Sequence, residues 1–254
     1  MDLQIITKRE IRPFRCLLHG SEGAGKTTFA TCAPKPIFIQ TEDGAFNFDV
    51  PRFPLCAKLS NVFTCLQHLI SMESCEYKTV VIDSLDWFEK LIVADILEKN
   101  ARYKTIAEFP YGQGYDLLKP PAVQLLDSLN LLYKRGMHVV LIAHTKIEKI
   151  ADPTGEGFDQ YAPRLDKRIN GMFKEWADMC LYATYYAAKK EVADGMNKTR
   201  TVAVQSKYMG NDRVLYTDGT PAIVAKNRYN LPPVMPLDGK QFFLELYRAI
   251  HGEP

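Results

Sequence analysis

Gly20-Ser21-Glu22-Gly23-Ala24-Gly25-Lys26-Thr27 is the stretch that decides the fold. It fits the pattern G-x-x-x-x-G-K-[ST] at every fixed position, and it lies between an apolar run at residues 14–19 and a segment of helical period. Glycines let such a loop curl until several backbone N–H groups face one centre. The helix that follows adds the positive end of its dipole. Lys26 would neutralise the β- and γ-phosphates, and the Thr27 hydroxyl would ligate Mg²⁺. With Thr28 on the first helical turn, residues 20–28 are the nucleotide-binding candidates. A turn that merely starts a helix has no need of Lys-Thr at its end, so the implied ligand is a nucleoside triphosphate.

Outward from this loop, the chain alternates strand-like runs with helix-periodic segments, the pattern of a parallel sheet with crossover helices. The strand candidates are residues 14–19, 36–40, 79–83 and 138–143. Val62, Phe63, Leu66, Leu69 and Ile70 share one helical face, as do Leu85, Phe88, Ile92 and Ile96. A third helix is expected over residues 122–135. Residues 102–121 and 145–164 read as irregular loops, long enough to be functional or mobile. Beyond them MCLYATYYA, TRTVAVQSK, RVLYT and PAIVAK read as antiparallel strands extending the sheet, with turns at Asp194-Gly195 and Asp218-Gly219. An amphipathic helix over residues 239–250 closes the chain. The fold class expected is α/β, with a central mostly parallel sheet, flanking helices and C-terminal antiparallel strands. One domain is expected over residues 1–254, its nucleotide-binding core in 1–144 and the loop, strand extension and last helix in 145–254.

Two further acids suit the phosphate chemistry. Thr79-Val80-Val81-Ile82-Asp83 is a buried-strand run ending in a carboxylate that can hold Mg²⁺ through water. Asp83 could equally cap the next helix, a task open to Ser84 as well. The second strand ends in Gln40-Thr41-Glu42-Asp43-Gly44, and a parallel neighbour would open its carboxyl end into the same crevice. Glu42 is there to activate water, or TEDG is only an acidic turn.

Composition narrows the class without choosing it. The 254 residues are 46% hydrophobic and 24% charged, which excludes a disordered or low-complexity chain. A formal net charge of +2 provides no global basic field, so a polyanion must be gripped locally. The six cysteines show no CxxC or zinc spacing and fit free thiols in a reducing cytosol. No run approaches a membrane span and the N-terminus lacks an apolar export signal, so a cytoplasmic protein is expected.

The order GSEGAGKTT, IQTEDG, VVIDS, VVLIAH resembles the RecA/Rad51-like P-loop ATPase core, and more closely the phage ATPases of the Sak4-type single-strand annealing group. The resemblance covers nearly the whole chain. It implies ATP as the nucleotide, Mg²⁺ beside it, Glu42 as the catalytic base and His144 as the polar residue that senses the γ-phosphate. It also gives Lys226 and Arg228 a role as fingers reaching a neighbouring subunit's γ-phosphate, where the residues alone read as a solvated basic strand end. Self-association into a ring or filament follows, in the bacterial host's cytoplasm, with single-stranded DNA and a single-strand-binding protein as partners.

In that family two loops bind DNA, and the irregular segments occupy those places. Arg102, Lys104, Phe109, Tyr111 and Tyr115 stand in the first; Lys146, Lys149, Phe158, Tyr161, Arg164, Lys167 and Arg168 stand in or just beyond the second. Cations track phosphates and aromatic faces stack bases without regard to sequence. Nearby acids, among them Glu148, Asp152, Glu156, Asp159 and Asp166, nearly cancel the second segment's charge. The alternatives are a P-loop kinase, for which no clustered arginines form a lid, and a nucleotide-gated interaction module with little turnover. A switch GTPase fits worse, because Thr145-Lys146-Ile147-Glu148 misses both diagnostic ends of N-K-x-D.

Overall fold

The computed structural model describes residues 7, 10–153, 155–193 and 199–252. In chain order, β1 (Arg15–Gly20), α1 (Lys26–Thr31), β2 (Pro36–Gln40), α2 (Leu59–Ser71), β3 (Thr79–Asp83) and α3 (Leu85–Lys99) alternate as expected. Then come α4 (Gln113–Asp116), α5 (Lys119–Lys134), β4 (His138–Ile150), β5 (Phe158–Pro163), α6 (Lys167–Trp176) and β6 (Met179–Tyr185). The C-terminal part holds β7 (Ala187–Ala193), β8 (Thr199–Gln205), β9 (Arg213–Tyr216), β10 (Lys226–Asn227), β11 (Val234–Pro236) and α7 (Gly239–His251).

The central sheet runs β11-β9-β6-β1-β4-β3-β2, with β1, β2, β3, β4 and β6 parallel and the β9 and β11 edge antiparallel. Its core strands are apolar at consecutive positions because both faces are covered. Alternate residues go to opposite layers. Leu17, Ile39, Ile82 and Leu141 pack among α2, α3, α5 and α6. Leu18, Phe38, Val81, Val140 and Ile142 pack with Phe29 of α1 and Phe242 and Leu246 of α7. The fold is therefore the α/β arrangement expected, a mostly parallel sheet with flanking helices, extended by antiparallel strands.

Several details depart from the sequence reading. Residues 145–164 are a β-hairpin: β4 continues to Ile150 and pairs with β5 from Thr145↔Pro163 to Ile150↔Phe158. The period-two sequence TKIEKI permits this, and the chain reverses direction between Ile150 and Phe158. Residues 102–121 contain 3₁₀ turns at Ile106–Glu108 and Pro110–Gly112, then α4 and the start of α5. Pro120 and Pro121 begin α5, since a first-turn proline costs no intrahelical hydrogen bond. β7 and β8 pair with each other in a separate two-stranded sheet and do not extend the main one. Tyr186 N–H donates to Asp212 O and Ser206 N–H to Tyr186 O, pinching the chain where this hairpin leaves β6 and returns to β9. Of PAIVAK, only Lys226 joins a strand, and Tyr161↔Ile223 is an isolated bridge. The Asp194-Gly195 turn lies outside the described residues.

Candidate active site

β1, β2, β3 and β4 are in parallel register, so their carboxyl ends reach one edge of the sheet: His144 pairs with Gly20, and Gln40 with Asp83. The loop after β1 begins with a residue that must be glycine. A β-carbon at Gly20 would stand 2.3 Å from the Ala183 carbonyl oxygen on β6. Gly23 and Gly25 hold φ of 71° and 97°, the left-handed conformation that curls the loop onto α1.

Lys26, on the first turn of α1, is buried and its ammonium donates to the carbonyls of Gly20 (3.0 Å) and Ser21 (2.8 Å). The side chain thus folds back across the loop's own mouth. Burial pulls its pKa down, opposed by Asp83, Glu42, Asp86 and Glu22. Thr27 donates its hydroxyl proton to Asp83 Oδ2 at 2.8 Å, joining the loop to β3. Asp83 is buried and its Oδ1 has no hydrogen-bond partner among the described residues. Desolvation raises its pKa to about 6 against the Thr27 hydrogen bond.

Glu42 is placed by backbone contacts between the ends of β2 and β3. Thr41 N–H and Glu42 N–H donate to Asp83 O (2.8 and 3.3 Å), Ser84 N–H donates to Thr41 Oγ1, and the Thr41 hydroxyl donates to Ser84 O. The Asp83–Ser84 peptide is cis. A β-carbon on Gly44 would lie 3.8 Å from Asp83 Oδ2, 3.9 Å from Glu42 Oε1 and 3.9 Å from Thr27 Oγ1, so these three oxygens surround one small volume. Glu42 is half-buried, and desolvation raises its pKa, with His144 and Lys26 pulling the other way.

Two residues organise this edge that the sequence does not assign to the phosphate site: Asp86, and Arg164, which reads there only as a cation of the second loop. Asp86, on the first turn of α3, is buried and accepts from His144 N–H (3.0 Å), from His144 Nδ1 (3.0 Å to Oδ2) and from Arg164 (2.8 Å). Burial pushes its carboxyl up, but the hydrogen bonds from His144 and Arg164 outweigh it and hold the group well below the ordinary carboxylate range. Arg164, just past β5, also lies 3.6 Å from Glu22 in the loop. The signal for Asp86 was the second acid of residues 82–87, IDSLDW, on the first turn of the helix that follows the strand ending in Asp83.

Asp86→Asn should cost roughly 2 to 4 kcal/mol, because it leaves Arg164 and the His144 ring without their buried anion. The folded-state pKa of Asp86 is depressed, so its contribution is complete above about pH 4 and is lost as pH falls through the lowered value. Urea unfolding of both proteins should show a gap at pH 7 that narrows toward pH 3. A gap that is absent at pH 7, or unchanged with pH, would contradict this role.

The other candidates lie apart. Lys226 donates to Lys174 O at 2.6 Å, at the C-terminal end of α6, and Arg228 pairs with Asp178 at 3.3 Å. Asp178 precedes β6 and also holds Arg15 at the start of β1, so both residues stand at the edge of the sheet opposite their own P-loop. Among the loop residues, Arg168 pairs with Asp116 (3.2 Å) and lies over the Tyr115 ring, which brings the two segments together. Lys146 donates to Leu165 O (2.6 Å) and pairs with Glu148. Arg102 stacks on Tyr103, and Tyr111 is fully exposed at φ 53°. Lys104, Lys149 and Lys167 are exposed. Arg102 and Lys104 follow the far end of α3, a helix about 22 Å long, from Asp86.

A glycine-curled loop closing on a buried lysine, with its threonine bonded to a strand-end aspartate, is the site of a P-loop NTPase. Residues 12–229 match the AAA domain family, and the chain belongs to it. The SPbeta prophage-derived uncharacterized protein YorG of Bacillus subtilis (strain 168) is 24% identical over 195 residues, covering 76% of this chain and 54% of the relative, so the chain spans about half that protein's length. Among solved structures, the flagellar accessory protein FlaH of Methanocaldococcus jannaschii aligns with a TM-score of 0.36 at 10% identity, over 85% of this chain and 90% of its own. The KaiC-like protein PH0186 of Pyrococcus horikoshii OT3 aligns with a TM-score of 0.40 at 17% identity, over 84% and 90%. At such low overlap neither bears on this chain's activity. Among the described residues no helix is long and apolar enough to cross a membrane, and all six cysteines are free.

Proposed function

We propose that the chain binds and hydrolyses Mg-ATP as a RecA-like phage recombination protein of the Sak4 type, promoting single-strand DNA annealing or strand exchange as an oligomer. The observation that carries the hydrolysis reading is the convergence of Lys26, Thr27, Asp83 and Glu42 on one edge of the sheet. Its parts divide the labour. The loop amides and Lys26 hold the phosphates, and Glu42 accepts a proton from the water that attacks the terminal phosphorus.

The donor set fits Mg²⁺. Asp83 has a buried oxygen without a partner, and the Thr27 hydroxyl stands against the other carboxylate oxygen. Among the described residues no cluster of three or more His, Cys, Asp or Glu makes a cage, which suits an ion that shares its ligands with substrate phosphates and water. Bound there, the ion would neutralise charge on the phosphate oxygens. This chain's part is to hold it with Thr27 and Asp83.

The prophage origin of the relative supports the phage assignment. Lys226 and Arg228 stand across the sheet from their own P-loop, so a triphosphate that they touch belongs to a neighbouring subunit. Assembly then comes before turnover. Single-stranded DNA is read by the loop cations. The side chains of Lys149 and Lys167 make no hydrogen bond or ion pair among the described residues, whereas those of Lys146 and Arg168 are tied down.

Fluorescence anisotropy with a labelled oligonucleotide tests this. In the presence of a non-hydrolysable ATP analogue, affinity should fall steeply with salt, and Lys149→Ala with Lys167→Ala should reduce the log–log slope by about 0.7 for each phosphate no longer neutralised. Affinity indifferent to nucleotide, or slopes equal to wild type, would remove the DNA assignment and leave the nucleotide site standing.

A further inference from the structure

An ion-pair arrangement joins the P-loop to the β4–β5 hairpin, and the hydrolysis chemistry does not use it. Arg164 donates through one terminal nitrogen to Asp86 Oδ2 at 2.8 Å, while the other lies 3.6 Å from Glu22 Oε1. The two ends differ in kind. The Asp86 side chain is 4% exposed and anchors the guanidinium, whereas that of Glu22 is 76% exposed and holds it loosely. A pair so exposed biases an equilibrium by up to about fivefold.

Glu22 puts a negative charge on the lip of a loop whose amides and lysine gather an anion. A triphosphate arriving there meets that carboxylate, and Coulomb repulsion at such range favours its departure. Departure frees half of the Arg164 fork. Arg164 is within electrostatic reach of Glu42 and shares Asp86 with His144, so it stands on the side of the site where the scissile bond is placed.

We propose that Arg164 is a nucleotide-contacting residue that acts within its own subunit, exchanging the Glu22 carboxylate for the terminal phosphate of bound ATP while Asp86 keeps its other edge. The Glu22 carboxylate is the phosphate's stand-in when no nucleotide is bound. A planar guanidinium can serve two anions at once, which an ammonium does less well. Arg164 N–H donates to His144 O at 2.8 Å, and Pro163 beside it pairs with Thr145. The contact therefore reaches the base of the hairpin that carries Lys146 and Lys149. This inference rests on the P-loop reading.

Equilibrium titration with Mg²⁺ and either β,γ-imido-ATP or ADP tests it. Arg164→Ala should weaken the triphosphate analogue by about 10- to 100-fold, the loss expected for a charge-assisted contact, and leave ADP within about twofold. Glu22→Gln should tighten the analogue by about two- to fivefold, since the competing carboxylate is gone. Arg164→Ala also strips Asp86 of a partner; should it fail to fold, Arg164→Lys keeps a cation there and should fall between wild type and the alanine prediction. Equal weakening of both nucleotides in the Arg164 variants, or an analogue affinity unchanged or lowered by Glu22→Gln, overturns the proposal. Lys26→Ala separates this inference from the reading beneath it, because it should weaken both nucleotides. Wild-type protein that binds neither overturns the P-loop reading and this inference together.

Discussion

Glu42→Gln should retain Mg-ATP at close to wild-type affinity and release phosphate roughly 10²- to 10⁴-fold more slowly. The substitution is nearly isosteric. It keeps the Glu42 N–H bond to Asp83 O that fixes the end of β2, so the site's shape is maintained and only a proton acceptor is removed. Desolvation already lifts the Glu42 pKa, and a carboxylate so lifted is a stronger base than one in water. Phosphate release under saturating ATP, measured beside equilibrium binding, checks the split. Turnover equal to wild type would assign the base elsewhere. Weak binding with normal turnover would place Glu42 on the phosphates.

Lys26→Ala should lower ATP affinity by about 10- to 100-fold and reduce turnover at least as far, since the ammonium is the cation at the centre of the loop. The acids around it sharpen the effect. Asp83, Glu42, Asp86 and Glu22 all act on Lys26, and without it a polyanion meets their field with nothing to offset it. The protein should still fold, because the substitution removes only two side-chain hydrogen bonds, those to the carbonyls of Gly20 and Ser21, and touches neither the sheet ladder nor the helix packing. A nucleotide titration with far-ultraviolet circular dichroism as the folding control distinguishes the cases. Near-normal affinity in a folded variant would remove the phosphate assignment from residues 20–27.

The parallel core and its loop were legible because they are written in local chemistry. Residues 36–40 and 79–83 are apolar runs ending in polar residues, and each became a strand with those bounds. That the P-loop and the strand ending in Asp83 serve one site was read from two motifs; the direct Thr27–Asp83 hydrogen bond was not. Less could be read where partners are remote in sequence. Whether TKIEKI continues β4 depends on Phe158–Pro163 lying alongside it, and the Gly- and Pro-rich turn between them masked the period-two signal. Asp86 and Arg164 belong to no motif. They meet only because α3 and the hairpin converge beside His144, 78 residues apart in the chain. Lys226 and Arg228 read as a basic strand end, and their contacts with α6 and Asp178 depend on β10 pairing with β6.

The most direct measurement follows labelled ATP on purified wild-type protein with Mg²⁺, counting nucleotide retained per chain and inorganic phosphate liberated as protein concentration is raised. One nucleotide held per chain, with phosphate appearing faster per subunit as subunits assemble, is the predicted result. Folded protein that neither holds the label nor frees phosphate at any concentration would contradict the account at its base.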